Sequence, residues 1–564
     1  MSKYNTKKEP VVQATTTHEG AKGLTQTPVS ELIGILSTGM ENTFYEKETE
    51  REKRFREVIG KVAKKDVAFA AKALVYARTV LGQRSVTHFG AVELLPYLQG
   101  DQLGKKFFSK RDKKAQTGGI IWRLDDMAEI LSAYLAKNGI GTDTHWTLPN
   151  SIKKGFKDAI ENADTYELAK YQQKNRGVSL VDIVNLVHPV ETAKNGHIFV
   201  SEEEYLKASS GTKFATRGYF KNEKGEVQVP ALRALVLGIL KQFNTVEDKN
   251  SESGKVVAER VKSGEITAEQ ASVVLNEAKT ENYSELIKTK KIGYLALLRN
   301  LRNIIKTGGK DLLDSACELL TEKEFIRKSL VWPHTIDLAL EIMLLEFSGR
   351  ELGKVAEALD RAYELSIPNL KDLLPEGRTA VVFDTSGSMS SGNVNLGGQG
   401  KLSNKCPAEK AALVAATFAK GVYGDVYHFA NAAEKIAGWN PNDSVNTLKQ
   451  KFMSYSGRQG HGTNFGSCFD LFVSQNTAYD RIIIISDEQD GYGSVERNYE
   501  AYCRRFGTPY VYIINVCGYQ TTAPIKTGQK VFRLFGYTQD IYEKIKTLEI
   551  NVNEVIDAIN RIEI

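Results

Sequence analysis

Asp384, Ser386 and Ser388 carry the clearest chemistry in this chain. They lie in the run Val381-Val382-Phe383-Asp384-Thr385-Ser386-Gly387-Ser388, where three apolar residues lead straight into an Asp-x-Ser-x-Ser turn. One carboxylate and two hydroxyls at the carboxyl end of a buried strand suit a hard divalent cation, so Mg²⁺ or Mn²⁺ is the expected occupant, keeping some of its waters. Two later segments offer further ligands. Gly462-Thr463-Asn464 brings the Thr463 hydroxyl in a loop that opens a helix-like run, and Ile482-Ile483-Ile484-Ile485-Ser486-Asp487 is a second apolar strand, ending in Asp487. Ligands gather at the carboxyl ends of strands in an open parallel sheet, so all three loops can converge there. The plain alternative is a polar strand-end turn that holds no metal.

Other chemistries fit these residues poorly. An aspartic-protease loop needs two such carboxylates and Gly directly after Thr; here Ser386 takes that place and no second copy follows. A nucleophilic Ser386 would need Gly-x-Ser-x-Gly and a His partner, but Asp384 occupies the first Gly position. Gly397-Gly398-Gln399-Gly400 lacks the Gly-Lys-Ser ending of a phosphate-cradling loop and reads as a surface loop. With no nuclease or helicase signature either, the chain is expected not to be an enzyme.

The elements that must position these residues follow from periodicity. After Pro368 the text alternates strands (379–383, 424–429, 481–486, 509–516, 530–535) with helices (408–420, 445–455, 465–474, 495–505), and the strands are almost continuously apolar. That pattern predicts a parallel, doubly wound sheet with helices on both faces. From Val29 to about Leu365 the text is helical almost throughout, with 61–81, 123–137, 153–161, 180–186, 231–243 and 294–305 as amphipathic runs. Gly, Pro and Asn punctuate these runs, which predicts stacked helix pairs of an α-solenoid. Residues 1–24, rich in Thr, Lys and Gly, are expected to form a flexible tail. The predicted organisation is therefore that tail, a helical domain over 25–366 and an α/β domain over 367–564.

Composition sets outer limits. At 564 residues, 41% hydrophobic and 26% charged, the chain has the make-up of a globular protein of at least two domains. No apolar run approaches the roughly 20 residues needed to cross a bilayer. The start of the chain lacks the apolar core of a signal peptide, and five cysteines without a Cys-x-x-Cys pair fit a reducing compartment, so a cytoplasmic location is expected. Acids and bases balance from Ile367 onward, which leaves the net charge of +6 in the first two-thirds of the chain. A polyanion-binding surface belongs there.

Two family resemblances join these parts. The order Asp-x-Ser-x-Ser, then Thr463, then Asp487 resembles the metal-ion-dependent adhesion site of von Willebrand factor A domains. The helical part resembles the TROVE module in three fragments: Leu148-Pro149-Asn150-Ser151-Ile152-Lys153-Lys154-Gly155, Lys170-Tyr171-Gln172-Gln173-Lys174-Asn175-Arg176-Gly177 and Asp182-Ile183-Val184-Asn185-Leu186-Val187-His188-Pro189. Gly82-Gln83-Arg84-Ser85-Val86-Thr87-His88, Arg123-Leu124-Asp125-Asp126-Met127 and Ala296-Leu297-Leu298-Arg299-Asn300-Leu301 agree with it. Together the two halves resemble the Ro autoantigen family, of the bacterial or phage type.

That resemblance implies a monomeric ring of HEAT-like helical repeats, closed by the von Willebrand A domain. It implies Y or Y-like small noncoding RNA on the outer surface and single-stranded ends of misfolded RNA in the central hole. Such a protein would serve noncoding-RNA quality control within a ribonucleoprotein, with an exoribonuclease as a separate partner and no membrane contact. Lys170 and His188 match RNA contacts of the family, and Lys174 or Arg176 matches a second basic contact. One extra residue between Lys170 and His188, and Val178 where animal relatives carry Trp, leave that second register open. Lys170, Lys174 and Arg176 lie within about two helical turns, close enough to follow successive phosphates, with Tyr171 available for stacking. Arg299 and Arg302, on a helix anchored by Leu295, Leu298 and Leu301, are candidates for the hole; Lys153 and Lys154 are weaker surface candidates. The densest basic run, Lys105 to Lys114, is an exposed loop that can touch nucleic acid or simply stay solvated. The other function class is a metal-dependent protein-binding scaffold, in which a partner's acidic side chain completes the coordination.

Overall fold

The computed structural model describes residues 13–40, 43–98, 102–139, 148–172, 177–214, 220–240, 283–290, 292–307, 309–329, 331, 333–366, 376–390, 394–395, 402–403, 406–527, 530–536, 541, 544–545, 548 and 554–564. Lys174, Arg176, Gly397–Gly400 and most of the expected domain boundary lie outside them. Two compact units emerge. One holds Glu52–Phe243 and Val555–Ile564, the other Pro10–Arg51 and Asn244–Glu554. Helices from Tyr294–Thr307 to Arg350–Ser366 thus group with the strands, although the change of pattern at Pro368 had placed them with the helical part.

The first unit is helical, with small sheet insertions. The run expected as one helix over 61–81 is two, Glu48–Lys65 and Val67–Thr79. Asp66 breaks it, taking an extended backbone and accepting from the Phe69 amide at 2.9 Å, because a short carboxylate satisfies an orphan amide at a helix start. A three-stranded sheet of His197–Val200, Phe220–Lys221 and Val227–Pro230 interrupts a region read as helical almost throughout. The end of the chain returns here: Lys72 Nζ donates to the Asn560 carbonyl at 2.7 Å and buried Arg111 to that of Glu563 at 2.6 Å.

The second unit is built on a six-stranded sheet: β1 (Thr379–Asp384), β2 (Asp425–Phe429), β3 (Ala433–Lys435), β4 (Arg481–Ser486), β5 (Tyr510–Asn515) and β6 (Val531–Phe535). Its order is β3-β2-β1-β4-β5-β6, with five strands parallel and β3 antiparallel at one edge. The parallel sheet was expected; the short polar edge strand was not. Alternate residues of β1 and β4 serve opposite faces. Ala380, Val382, Ile482 and Ile484 join Phe465, Phe469, Phe472 and Tyr502 from helices Ser467–Ser474 and Val495–Phe506 and the loop before them. On the other face Phe383 stacks on Phe452 of helix Val445–Met453, and helix Pro407–Val422 packs along β1. Strands covered on both sides must be apolar along their whole length, which is why Ile482–Ile485 has no polar interruption.

The helices that precede β1 are fastened to this sheet layer. Lys410 and Asp337, both almost wholly buried, pair at 3.0 Å, and Tyr363 meets Thr417 at 3.3 Å. In helix Tyr294–Thr307 the buried side is Tyr294, Leu297, Leu298, Leu301 and Ile304. Leu295, expected to help anchor it, is exposed, because the apolar stripe passes through 294 and 297 instead.

Of the tail expected over 1–24, residues 1–12 lie outside the described residues and the rest is corrected. Ala14–Thr16 and Lys22–Thr25 form a hairpin, and the second strand pairs with Thr521–Thr522. β-Branched Thr15, Thr16 and Thr17 favour extended backbone, and Gly20, at φ 89°, turns the chain. Composition alone had hidden this strand signal.

Candidate metal centre and basic surface

β1 and β4 are neighbours, and the chain winds outward from them in opposite directions, so a crevice opens at their carboxyl ends. Asp384 ends β1, and Asp487 follows the last residue of β4. The register sets Ile485 beside Phe383, so the next residues meet: Ser486 Oγ donates to Asp384 Oδ2 at 2.6 Å. The turn after β1 folds back, with the Ser386 amide on Asp384 Oδ1 at 2.9 Å and the Ser386 and Ser388 hydroxyls 3.3 Å apart. Thr463 arrives on a loop tied to the end of β2, where the Gly462 amide donates to Asn431 Oδ1 at 2.7 Å and the Asn464 amide to the Ala430 carbonyl at 2.8 Å. The structure thus places all five expected ligands, Asp384, Ser386, Ser388, Thr463 and Asp487, at one end of the sheet and buries each of them.

Two carboxylates buried together resist ionising. Burial raises the Asp384 carboxyl above its ordinary value, against the pull of its bonds to Ser386 and Ser486. Burial, then the charge of Asp384, raises Asp487. Among the described residues, buried Asp487 Oδ2 has no hydrogen-bond partner. An orphaned anionic oxygen beside a second carboxylate and three hydroxyls is a donor set that fits a hard divalent cation. Among the described residues no group of three or more His, Cys, Asp or Glu side chains is arranged to hold a metal; the set here mixes two carboxylates with hydroxyls.

Sequence reasoning missed two residues at this site. Glu19, at the tip of the N-terminal hairpin, accepts from Thr463 Oγ1 at 3.0 Å and the Thr463 amide at 3.3 Å. Tyr45 donates its hydroxyl to the same carboxylate at 2.8 Å. Burial and the Glu19 carboxylate push the Tyr45 phenol well above its usual value. The only sequence signal was the run of threonines before Glu19, which predicts a strand but not its destination.

The RNA candidates are more dispersed. Lys170 is exposed at the end of helix Thr165–Lys170, its ammonium 5.2 Å from the Tyr166 ring and 5.5 Å from that of Tyr171. The Arg123 guanidinium covers Tyr171 at 5.1 Å, and the Lys113 ammonium covers Trp122 at 5.2 Å. Lys113 belongs to the basic run noted in the sequence, and its residue surface is exposed. Its ammonium is nonetheless depressed, first by desolvation and then by the charges of Lys110, Arg123 and Lys170, against the opposing pull of Glu167. Lys110 pairs with Glu167. Cations and aromatic rings here share one patch that linear spacing did not reveal.

His188 is an exposed helix cap in the left-handed region, at φ 48°. Lys153 and Lys154 are exposed on helix Asn150–Glu161, opposite buried Ile152 and Phe156. Arg299 is exposed, and Arg302 pairs with Glu346 at 2.9 Å, which neutralises its charge locally. No described helix is long and apolar enough to cross a membrane.

Fold and site together define a protein with an α/β unit carrying a cluster of buried oxygen donors that fits a divalent cation and a helical unit carrying a basic, aromatic patch. Compared with models of known families and with curated proteins, the chain matches none.

Proposed function

We propose that this chain is an RNA-binding protein of the Ro kind: a ring of HEAT-like helices closed by a von Willebrand A-like domain, without enzymatic activity of its own. In this reading it holds Y or Y-like noncoding RNA on its outer surface and accepts unpaired ends of misfolded RNA. It would act in RNA quality control in the cytoplasm, beside a separate exoribonuclease. The observation that carries it is the cluster of Lys113, Arg123 and Lys170 over Trp122, Tyr166 and Tyr171. Cations gathered closely enough to help depress the protonation of Lys113 favour a polyanion, and the rings offer faces for unstacked bases.

A salt titration tests this. With a labelled structured RNA bearing an unpaired 3′ end, affinity should fall linearly on logarithmic axes between about 50 and about 200 mM salt. Replacing Lys113 and Lys170 together by Ala should lower that slope by roughly 1.4 to 1.8, two phosphate contacts' worth. Absence of binding at the lowest salt removes the reading.

The paired buried carboxylates favour a second reading, a metal-dependent protein-binding scaffold. Asp384→Ala separates the two, since it should abolish divalent-ion binding and leave RNA affinity unchanged.

A further inference from the structure

Glu19 reaches the cation site on a built arm rather than as a loose side chain. The hairpin that carries it is paired at Thr25 with Thr521 and at Leu24 with Thr522. Its tip is pinned by Thr17 Oγ1 on the Asp490 carbonyl and by the His18 amide on Gln489 Oε1 at 3.0 Å. The His18 ring stacks on Tyr45 at 4.8 Å and meets Tyr519 edge-on at 5.3 Å. Gly491 leaves space for the carboxylate, since a Cβ there would fall 2.8 Å from Glu19 Oε2.

This arm brings a third carboxylate to the two at the strand ends, with Glu19 Oε1 3.0 Å from Thr463 Oγ1 and Glu19 Oε2 3.3 Å from the Thr463 amide. Like charges converging in a site of low dielectric are costly unless a positive charge sits among them. Asp487 Oδ2, buried with no hydrogen-bond partner among the described residues, is an oxygen able to face one. The hydrogen bonding is also compatible with one. A hydroxyl has one proton and two lone pairs, so Thr463 Oγ1 can donate to Glu19 and still face a cation.

We propose that Glu19 is a ligand in cis: its carboxylate takes the place on the cation that an acid from another molecule would otherwise fill, making the N-terminal hairpin a plug on the site. The proposal rests on the cation reading of Asp384, Ser386, Ser388, Thr463 and Asp487. It changes what that site does, because a plugged site is closed to acidic partners until the hairpin leaves.

Mn²⁺ titration of the full chain decides it, with free Mn²⁺ read by electron paramagnetic resonance and bound water by proton relaxation. Glu19→Gln keeps the hydrogen-bonding shape and removes the charge, and should weaken Mn²⁺ binding at least about tenfold, the scale on which ligand charge tunes such sites. Glu19→Ala should raise the relaxivity of the bound ion, as water enters the vacated place. Acetate should then lower that relaxivity in Glu19→Ala but not in the wild type. Gly491→Ala, which displaces the carboxylate without deleting it, should likewise open the site to acetate. Unchanged affinity in Glu19→Gln, together with a wild type already open to acetate, overturns the plug while leaving the cation site standing. A wild type that binds Mn²⁺ no better than Asp384→Asn removes both.

Discussion

Two buried acidic centres in this molecule behave in opposite ways. In the helical unit Asp126 is fully buried and bonds Arg78 Nη2 at 3.0 Å, His88 Nε2 at 3.1 Å, Arg84 Nη2 at 3.3 Å and the amides of Trp122 and Arg123. Burial alone would raise its carboxyl, but Arg78, His88 and Arg84 outweigh that and hold it far below the usual range. In the α/β unit Asp384 and Asp487 are equally buried, yet hydroxyls rather than cations bond Asp384, and burial raises both, the charge of Asp384 adding to the rise of Asp487. A buried carboxylate with matched cations is a fastener: this one ties helices Val67–Thr79, Ser85–Leu94 and Asp125–Asn138 together. A buried pair without such partners is a socket. The direction of the shift, not the depth of burial, separates structure from site.

Mutation should break that contrast most visibly at the fastener. Asp126→Ala strands buried Arg78 and His88 beside an empty place and should cost on the order of 3 to 5 kcal/mol, read from urea unfolding of the helical unit. Asp384→Asn in EDTA removes one of two repelling charges and should leave the α/β unit at least as stable. A cost below about 1 kcal/mol for Asp126→Ala would void the distinction.

The two centres should also titrate with opposite sign. Asp126 is depressed, so its contribution is complete above about pH 4, the ordinary carboxylate value, and is lost as pH falls through the folded value. Asp384 and Asp487 are raised, so their protonated forms favour the metal-free fold below about pH 4, and that contribution is lost as pH rises through the raised values. A cation competes with those protons. The gap in melting temperature between Mn²⁺ and EDTA samples should therefore widen from about pH 5 to about pH 8. A gap independent of pH would mean that the ion binds elsewhere.

The smallest effect sharpens the socket. Ser486→Ala removes one bond to Asp384 Oδ2 and should weaken Mn²⁺ binding roughly tenfold, as loss of an outer partner to a ligand does, with the fold little changed.

The α/β unit was legible because β1 and β4 are apolar runs that end in Asp384 and Ser486, with the candidate ligands Asp384 and Asp487 at those ends. The edge strand Ala433–Lys435 was not, being three residues long and charged. The helical unit was legible as helices but not in its breaks: Asp66 looks like any surface acid until it caps Phe69. Arg84, His88 and Asp126, which fall in two of the fragments that carry the family resemblance, form one ion network around buried Asp126, which no spacing along the chain could reveal.

Residue order by itself determined the strand-to-turn motifs, the alternation of elements and so the convergence of Asp384, Ser386, Ser388, Thr463 and Asp487. Those follow from local periodicity and from the rule that strand ends face the same way. Only tertiary structure decided that Glu19 meets Thr463 across 444 positions, that Lys113 joins Lys170, and that Asp126 is clamped while Asp487 Oδ2 has no hydrogen-bond partner among the described residues. Charge acts through space, and the chain brings distant charges together only once it has folded.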